Sequence, residues 1–119
     1  MQIIFGDPPE ELVEKYVVLE LDTIKYSKDA DPITAYCVVG GEHVTLEEMS
    51  EIKQNCDTHR ALIMNYYKKN WEFCIQAIEA LRGKFRGELD SFYDVLESRI
   101  RDYKNGKIES EWDGILRKF

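Results

Sequence analysis

The sequence predicts an α+β fold: a small antiparallel β-hairpin or three-stranded sheet, then a three-helix bundle, then a short C-terminal tail. Two patterns and their boundaries carry this. Apolar and polar residues alternate through Tyr16–Tyr26, and a β-branched and aromatic run follows at Thr34–Val39. From Thr45 to Tyr103 the apolar residues instead recur at helical spacing. Period two is the mark of a strand with one wet face, and steps of three and four mark an amphipathic helix. Gly40-Gly41, Asn70 and the Gly83/Gly87 pair fall between these segments as turn signals.

The elements follow in order. Gln2–Phe5 is a candidate short strand. Asp7 has the chemistry of a helix N-cap, with Pro8 at the first helical position and Glu10 three residues after the cap. In the strand Tyr16–Tyr26, Val17, Leu19 and Leu21 are expected on one face, with Glu20 and Asp22 on the other. Ser27–Pro32 is polar and ends in Asp31-Pro32, the loop of an expected hairpin with Thr34–Val39. Thr45 and Glu48 form a capping box that opens the first helix. That helix is expected to run to about Lys69, with a break near the polar stretch Asn55–Thr58. Asn70 tolerates a left-handed backbone and is expected to make the next turn. Trp71, Cys74, Ile78 and Leu81 mark the second helix. Leu89, Phe92, Tyr93, Leu96, Ile100 and Tyr103 mark the third. Gly106 is its expected C-cap. The tail carries Trp112, Ile115, Leu116 and Phe119, and each large apolar side chain costs about 1.5–3 kcal/mol to leave in water. The tail is therefore expected to dock on the body. The whole reads as one domain over 1–119: a β-rich part (1–44), a helical part (45–105) and a docked tail (106–119).

Composition narrows the function classes. The 119 residues carry a formal net charge of −7, which opposes non-specific attraction to nucleic acid or anionic lipid. The apolar runs are far too short to span a bilayer, and the N-terminus lacks the basic start and apolar core of a signal peptide. Cys37, Cys56 and Cys74 include no C-x-x-C pair. They read as reduced, packed thiols of a cytoplasmic protein, with no metal site. No G-x-x-x-x-G-K-[ST] or G-x-G-x-x-G motif is present, so nucleotide binding has no motif support and no cofactor is expected. Cys56 and His59 stand three apart, a spacing that brings two side chains together on a helix. Without a third orienting group they read as a buried thiol and a surface histidine.

Tyr66-Tyr67-Lys68-Lys69-Asn70-Trp71, followed by Cys74, Ile78 and Leu81, resembles one degenerate tetratricopeptide unit. In such a unit a small residue lets two antiparallel helices approach, and aromatics fill the wedge beside the turn. A solenoid needs about three such units, so the resemblance implies a single tetratricopeptide-like hairpin inside the bundle. Residues 58–115 resemble the C-terminal extension that follows the catalytic domain of bacterial class III adenylate/guanylate cyclases. The likeness rests on the helix pair, on Phe92-Tyr93-x-x-Leu96-x-x-Arg99-Ile100, and on Trp112-Asp113-Gly114-Ile115. No cyclase domain is present, so the resemblance implies an accessory module without that reaction. The whole-chain layout is similar to small uncharacterised proteins of marine tailed phages. It is carried by Tyr16-x-Val18-Leu19-Glu20-Leu21-Asp22-Thr23, Asn70-Trp71-x-x-Cys74 and Gly87-Glu88-Leu89-Asp90-Ser91-Phe92-Tyr93. A phage origin implies action in the host cytoplasm.

The functional expectation is a non-enzymatic protein-interaction or regulatory module, with no catalytic residues. A small-ligand-binding protein and a phage structural component are the alternatives. If the three helices alternate in direction, the first turn and the end of the third helix share one end of the bundle. Lys68, Lys69, Arg101, Lys104 and Lys107 would gather there, and the first four of these with Tyr66, Tyr67 and Phe85 form the candidate partner-binding set. The partner is expected to be another protein or a second copy of the chain, without membrane and without nucleic acid. Trp71 and Tyr93 are expected in the core.

Overall fold

The computed structural model describes residues 2–39, 46–108 and 112–117. It is α+β, with a four-stranded mixed sheet and four helices among the described residues. The elements are β1 (Gln2–Phe5), α1 (Glu10–Lys15), β2 (Val17–Lys25), β3 (Ile33–Val39), α2 (Leu46–Tyr67), α3 (Trp71–Leu81), α4 (Asp90–Lys104) and β4 (Ile115–Arg117). Two compact units emerge: Met1–Val44 with Gly114–Phe119, and Thr45–Asp113. The capping box at Thr45, together with Gly40-Gly41, His43 and Phe119, lies outside the described residues.

The sheet unit has the strand order β1-β3-β2-β4. β2 and β3 form the expected antiparallel hairpin, closed by a turn in which Ala30 N–H donates to the Ser27 carbonyl at 3.3 Å. β1 adds antiparallel to β3, and β4 adds parallel to β2, from Thr23↔Ile115 to Lys25↔Arg117. Part of the tail thus docks as a strand. α1 begins at Glu10 after Pro9 (φ −58°, ψ 139°), not after Asp7, and no side chain caps it. Pro9 supplies the open carbonyl itself, accepting from Leu12 N–H at 3.0 Å.

The expected alternation of β2 is broken in one place. The register runs Glu20↔Tyr36 and then Asp22↔Ala35, so Leu21 is the extra residue of a β-bulge. The bulge shifts the later residues by one face. Asp22 joins Val17 and Leu19 opposite Ala35, Val39 and Cys37, and is only 8% exposed. Strict alternation had put it with Glu20 in water. Cross-strand hydroxyls of Thr23 and Thr34 meet at 3.2 Å just beyond the bulge.

In the helical unit, α2 is continuous across Asn55–Thr58. The polar side chains there do not break it, because Thr58 Oγ1 donates back to the Gln54 carbonyl at 3.1 Å and stays within the helix. Cys56, His59, Leu62, Ile63 and Tyr66 form the buried stripe that holds the stretch in place. α2 ends in a Schellman turn: Asn70 N–H donates to the Asn65 carbonyl (2.9 Å) and Lys69 N–H to that of Tyr66 (3.1 Å). Its left-handed residue is Lys69 (φ 62°), one position before the Asn70 that sequence favours. α3 buries Cys74, Ala77, Ile78 and Leu81, and α4 buries Tyr93, Leu96 and Ile100. α4 ends in the same kind of turn around Gly106 (φ 93°).

Between α3 and α4 the chain makes a single left-handed turn, Phe85 (φ 51°), Arg86 (φ 58°) and Gly87 (φ 74°). Two successive non-glycine residues there cost about 1–2 kcal/mol each. Burial of Phe85 and ion pairs on the flanking cations offset this: Arg86 with Glu48 at 3.3 Å, Lys84 with Glu51 at 3.6 Å, and Arg82 with Glu97 at 3.0 Å and with Asp94.

Candidate interaction site

Helix direction decides which residues meet. The α2–α3 turn and the end of α4 come together, as ring contact between Trp71 and Tyr103 shows (centroids 5.6 Å apart). Trp112 packs among these rings, 5.2 Å from Tyr66, 5.5 Å from Trp71 and 5.4 Å from Tyr103, meeting each nearly edge-on. Edge-to-face packing sets the positive rim of one ring against the negative face of the next, adding about 0.5–1.5 kcal/mol per pair beyond area burial.

Cations rim this cluster. Lys69 Nζ stands 5.8 Å from the centre of the Trp112 ring, a cation–π contact held by the left-handed turn that places Lys69 there. Arg99 Nη1 donates to Tyr66 Oη at 3.3 Å. Lys104 pairs with Glu72, in the first turn of α3 beside Trp71. Arg101 reaches Glu97 at 3.5 Å, and Lys107 reaches Asp102 at 3.9 Å. Lys68 is exposed on the same turn.

The candidate set therefore divides. Lys68, Lys69, Arg101 and Lys104 are exposed and Tyr67 is half-buried. Tyr66 and Phe85 are only 3% and 6% exposed, because both fill the interior of the helical unit. They support a surface rather than form one, and Phe85 sits in the α3–α4 turn, away from the α2–α3 turn in sequence. Sequence reasoning missed Arg99 and Tyr103 as members of the cluster and did not tie Trp112 to it. The available signal was the position of Trp71 and Tyr103 at the first turn of one helix and the last turn of another.

The other candidate chemistry is structural in geometry. His59 is fully buried, not on the surface, and its Nδ1 lies 2.8 Å from Tyr93 Oη. The neighbouring Cys56 is buried too, and burial pushes its thiol up, away from the reactive thiolate. Cys74 is pushed up to about 11 by burial, with its Sγ 3.7 Å from the Leu62 carbonyl. In the sheet unit, burial raises Glu20, with the Asp22 charge adding to it; burial, then Glu20 and Asp7, raises Tyr36. Among the described residues no group of three or more His, Cys, Asp or Glu converges as a metal site, and no helix is long and apolar enough to cross a membrane.

Comparison with protein families, with curated proteins and with solved structures returns no match for the chain.

Proposed function

We propose that the chain is a non-enzymatic protein-interaction module, and that its contact surface is the end of the helical unit where the α2–α3 turn meets the end of α4. The observation that carries the reading is Lys69: a lysine held in left-handed backbone with its ammonium 5.8 Å from an aromatic ring, on a turn that a glycine would make at lower cost. Left-handed backbone at a non-glycine residue is sparsely populated, and such residues cluster at functional sites, which supports the reading. Tyr67, Lys68, Lys69, Arg101 and Lys104 are the contact residues of the proposal. Tyr66 and Phe85 support them from inside. We read α2 and α3 as one tetratricopeptide-like hairpin, since Cys74 lets the helices approach while Tyr66 and Trp71 fill the wedge (ring centroids 6.0 Å apart). On the sequence resemblance alone, we also read the chain as phage-encoded and acting in the host cytoplasm.

The test compares charge reversals. Tagged wild-type protein, Lys68→Glu/Lys69→Glu and a control Lys28→Glu in the β2–β3 loop are recovered from the cells that make it. A protein that co-purifies with wild type and the control but is lost from the double variant supports the reading. The same recovery from all three, or no co-purifying protein together with a strict monomer in light scattering, overturns it.

A further inference from the structure

An asparagine can lose its side-chain ammonia when the next backbone nitrogen attacks its amide carbon, and a following glycine, with no side chain beside that nitrogen, allows this best. Of Asn55, Asn65, Asn70 and Asn105, only Asn105 precedes a glycine; the others precede Cys56, Tyr66 and Trp71. Asn55 and Asn65 also lie inside α2, where the following amide belongs to the helix. Asn65 Nδ2 donates to the Ala61 carbonyl at 2.7 Å, and Asn70 Nδ2 donates to Asn65 Oδ1 at 3.1 Å, so both side chains are tied. Asn105 and Gly106 are exposed at the end of α4, and a Cβ on Gly106 would meet nothing within 4 Å. Among the described residues none holds the Asn105 side chain by a hydrogen bond.

We propose that Asn105 is a site of spontaneous modification by water, and that the turn closing α4 is the gate that sets its rate. Ring closure requires the Gly106 nitrogen to eclipse Asn105 Cβ about the Cα–C bond. At φ −86° and ψ 10° that nitrogen instead nearly eclipses the Asn105 backbone nitrogen, so the peptide plane must rotate by more than a quarter turn. The rotation breaks two turn hydrogen bonds, Gly106 N–H to the Tyr103 carbonyl (3.1 Å) and Lys107 N–H to the Asp102 carbonyl (3.0 Å). Two backbone hydrogen bonds at a fraying helix end slow the reaction about tenfold. In the open turn the Gly106 nitrogen, its proton taken by solvent base, bonds to Asn105 Cγ. The side-chain nitrogen leaves as ammonia and a succinimide remains. Water then opens the ring at either carbonyl, giving aspartate or isoaspartate, with no change of oxidation state. Either product loosens the end of α4: an aspartate there faces the negative end of the helix dipole, and an isoaspartate adds a backbone atom to the turn. Arg101 and Lys104 of the proposed contact surface stand on this last turn. Conversion therefore weakens that surface with age, a consequence that rests on the interaction reading, whereas the modification itself does not.

The test ages full-length wild-type protein in mildly alkaline buffer made with heavy-oxygen water and follows conversion at each asparagine by peptide mapping and mass spectrometry. A synthetic peptide of residues 102–108 (Asp-Tyr-Lys-Asn-Gly-Lys-Ile) gives the rate without the fold. Hydrogen exchange of the Gly106 amide in the same buffer measures how often the turn opens. Conversion is expected first at Asn105, with heavy oxygen in its new carboxyl group, about tenfold slower than in the peptide. The slowing is expected to match the Gly106 protection within about threefold, since one opening admits both reactions. Faster conversion at Asn55, Asn65 or Asn70, a rate equal to that of the peptide, or a slowing that departs further from the Gly106 protection overturns the proposal. Protein aged until Asn105 is mostly converted is expected to recover less co-purifying protein than fresh protein; equal recovery overturns the consequence for the contact surface. The chemical assay involves no partner, so its failure leaves the interaction reading standing, and loss of the co-purifying protein from no variant leaves the modification site standing.

Discussion

Removing one oxygen atom from Tyr93 tests the interior of the helical unit. Tyr93 on α4 and His59 on α2 are both fully buried, with Tyr93 Oη 2.8 Å from His59 Nδ1. The Tyr93→Phe change keeps the ring, which packs 5.8 Å from the imidazole and 5.7 Å from Phe92. What is lost is the hydrogen bond, and a buried ring nitrogen loses that partner. Leaving such a group short of a partner costs about 1–3 kcal/mol, whereas replacing both partners with apolar groups of similar shape is nearly neutral. His59 makes further interactions, so the expected cost lies at the lower end, about 1–2 kcal/mol. The double variant Tyr93→Phe/His59→Leu is therefore expected to be more stable than the sum of the single losses predicts, by about 1 kcal/mol. Urea unfolding followed by helical circular dichroism measures all four corners of the cycle. A Tyr93→Phe loss within about 0.3 kcal/mol of zero, or additivity within about 0.5 kcal/mol, refutes a buried His59–Tyr93 bond.

Four further outcomes are expected. Cys74 stays protonated in the fold, so its ionisation favours unfolding. Stability is unaffected below the ordinary thiol range and falls as pH rises from about 9 toward the folded value of about 11, by about 2–3 kcal/mol. Cys74→Ala removes that loss in a pH series of urea melts, and Cys37, Cys56 and Cys74 react with a thiol reagent at pH 8 only after denaturation. Lys69→Gly relieves the left-handed lysine and raises stability by about 0.5 kcal/mol, the backbone gain of about 1 kcal/mol being offset in part by the lost cation–π contact; thermal melting reads the gain, while partner recovery falls. Trp112→Ala costs about 2–3 kcal/mol, less than a fully buried aromatic because Trp112 is half-exposed. Glu20 is raised in the fold, so its carboxylate is disfavoured above its ordinary range. Glu20→Gln accordingly raises the melting temperature at pH 7 and has no effect at pH 3, where both states are protonated, as thermal melts at the two pH values would show.

What sequence could and could not show follows from the range of the interactions involved. The stripe from Leu89 to Tyr103 and the spacing from Trp71 to Leu81 are local, and α3 and α4 appear where they predict. Gly83, Gly87 and Gly106 all take positive φ at the turns they mark. The supposed break in α2 came from counting only hydrocarbon side chains. Cys56 and His59 supply the inward face of that stretch, and a buried imidazole reads as polar until its partner on α4 is known. The bulge at Leu21 has no composition signal, yet it turns Asp22 from the wet face to the apolar one. A strand of three residues, β4, lies below what alternation can register. The site was half legible. The basic turn and the basic helix end are visible as charges, and opposed helix directions bring them together. The choice between Tyr66 and Tyr67 for the exterior is not, because adjacent residues differ by about 100° of helix rotation and only packing selects which points inward. Phe85 looked like surface for the same reason: a left-handed turn, not a helix, aims it inward.

The most direct measurement is photo-crosslinking inside the producing cells. A light-activated aromatic amino acid replaces Lys68 in one sample and Lys28 in another, both exposed positions. A discrete adduct to another polypeptide from position 68, absent from position 28, is the predicted outcome. No adduct from position 68, or the same adduct from both, contradicts an interaction surface at the α2–α3 turn.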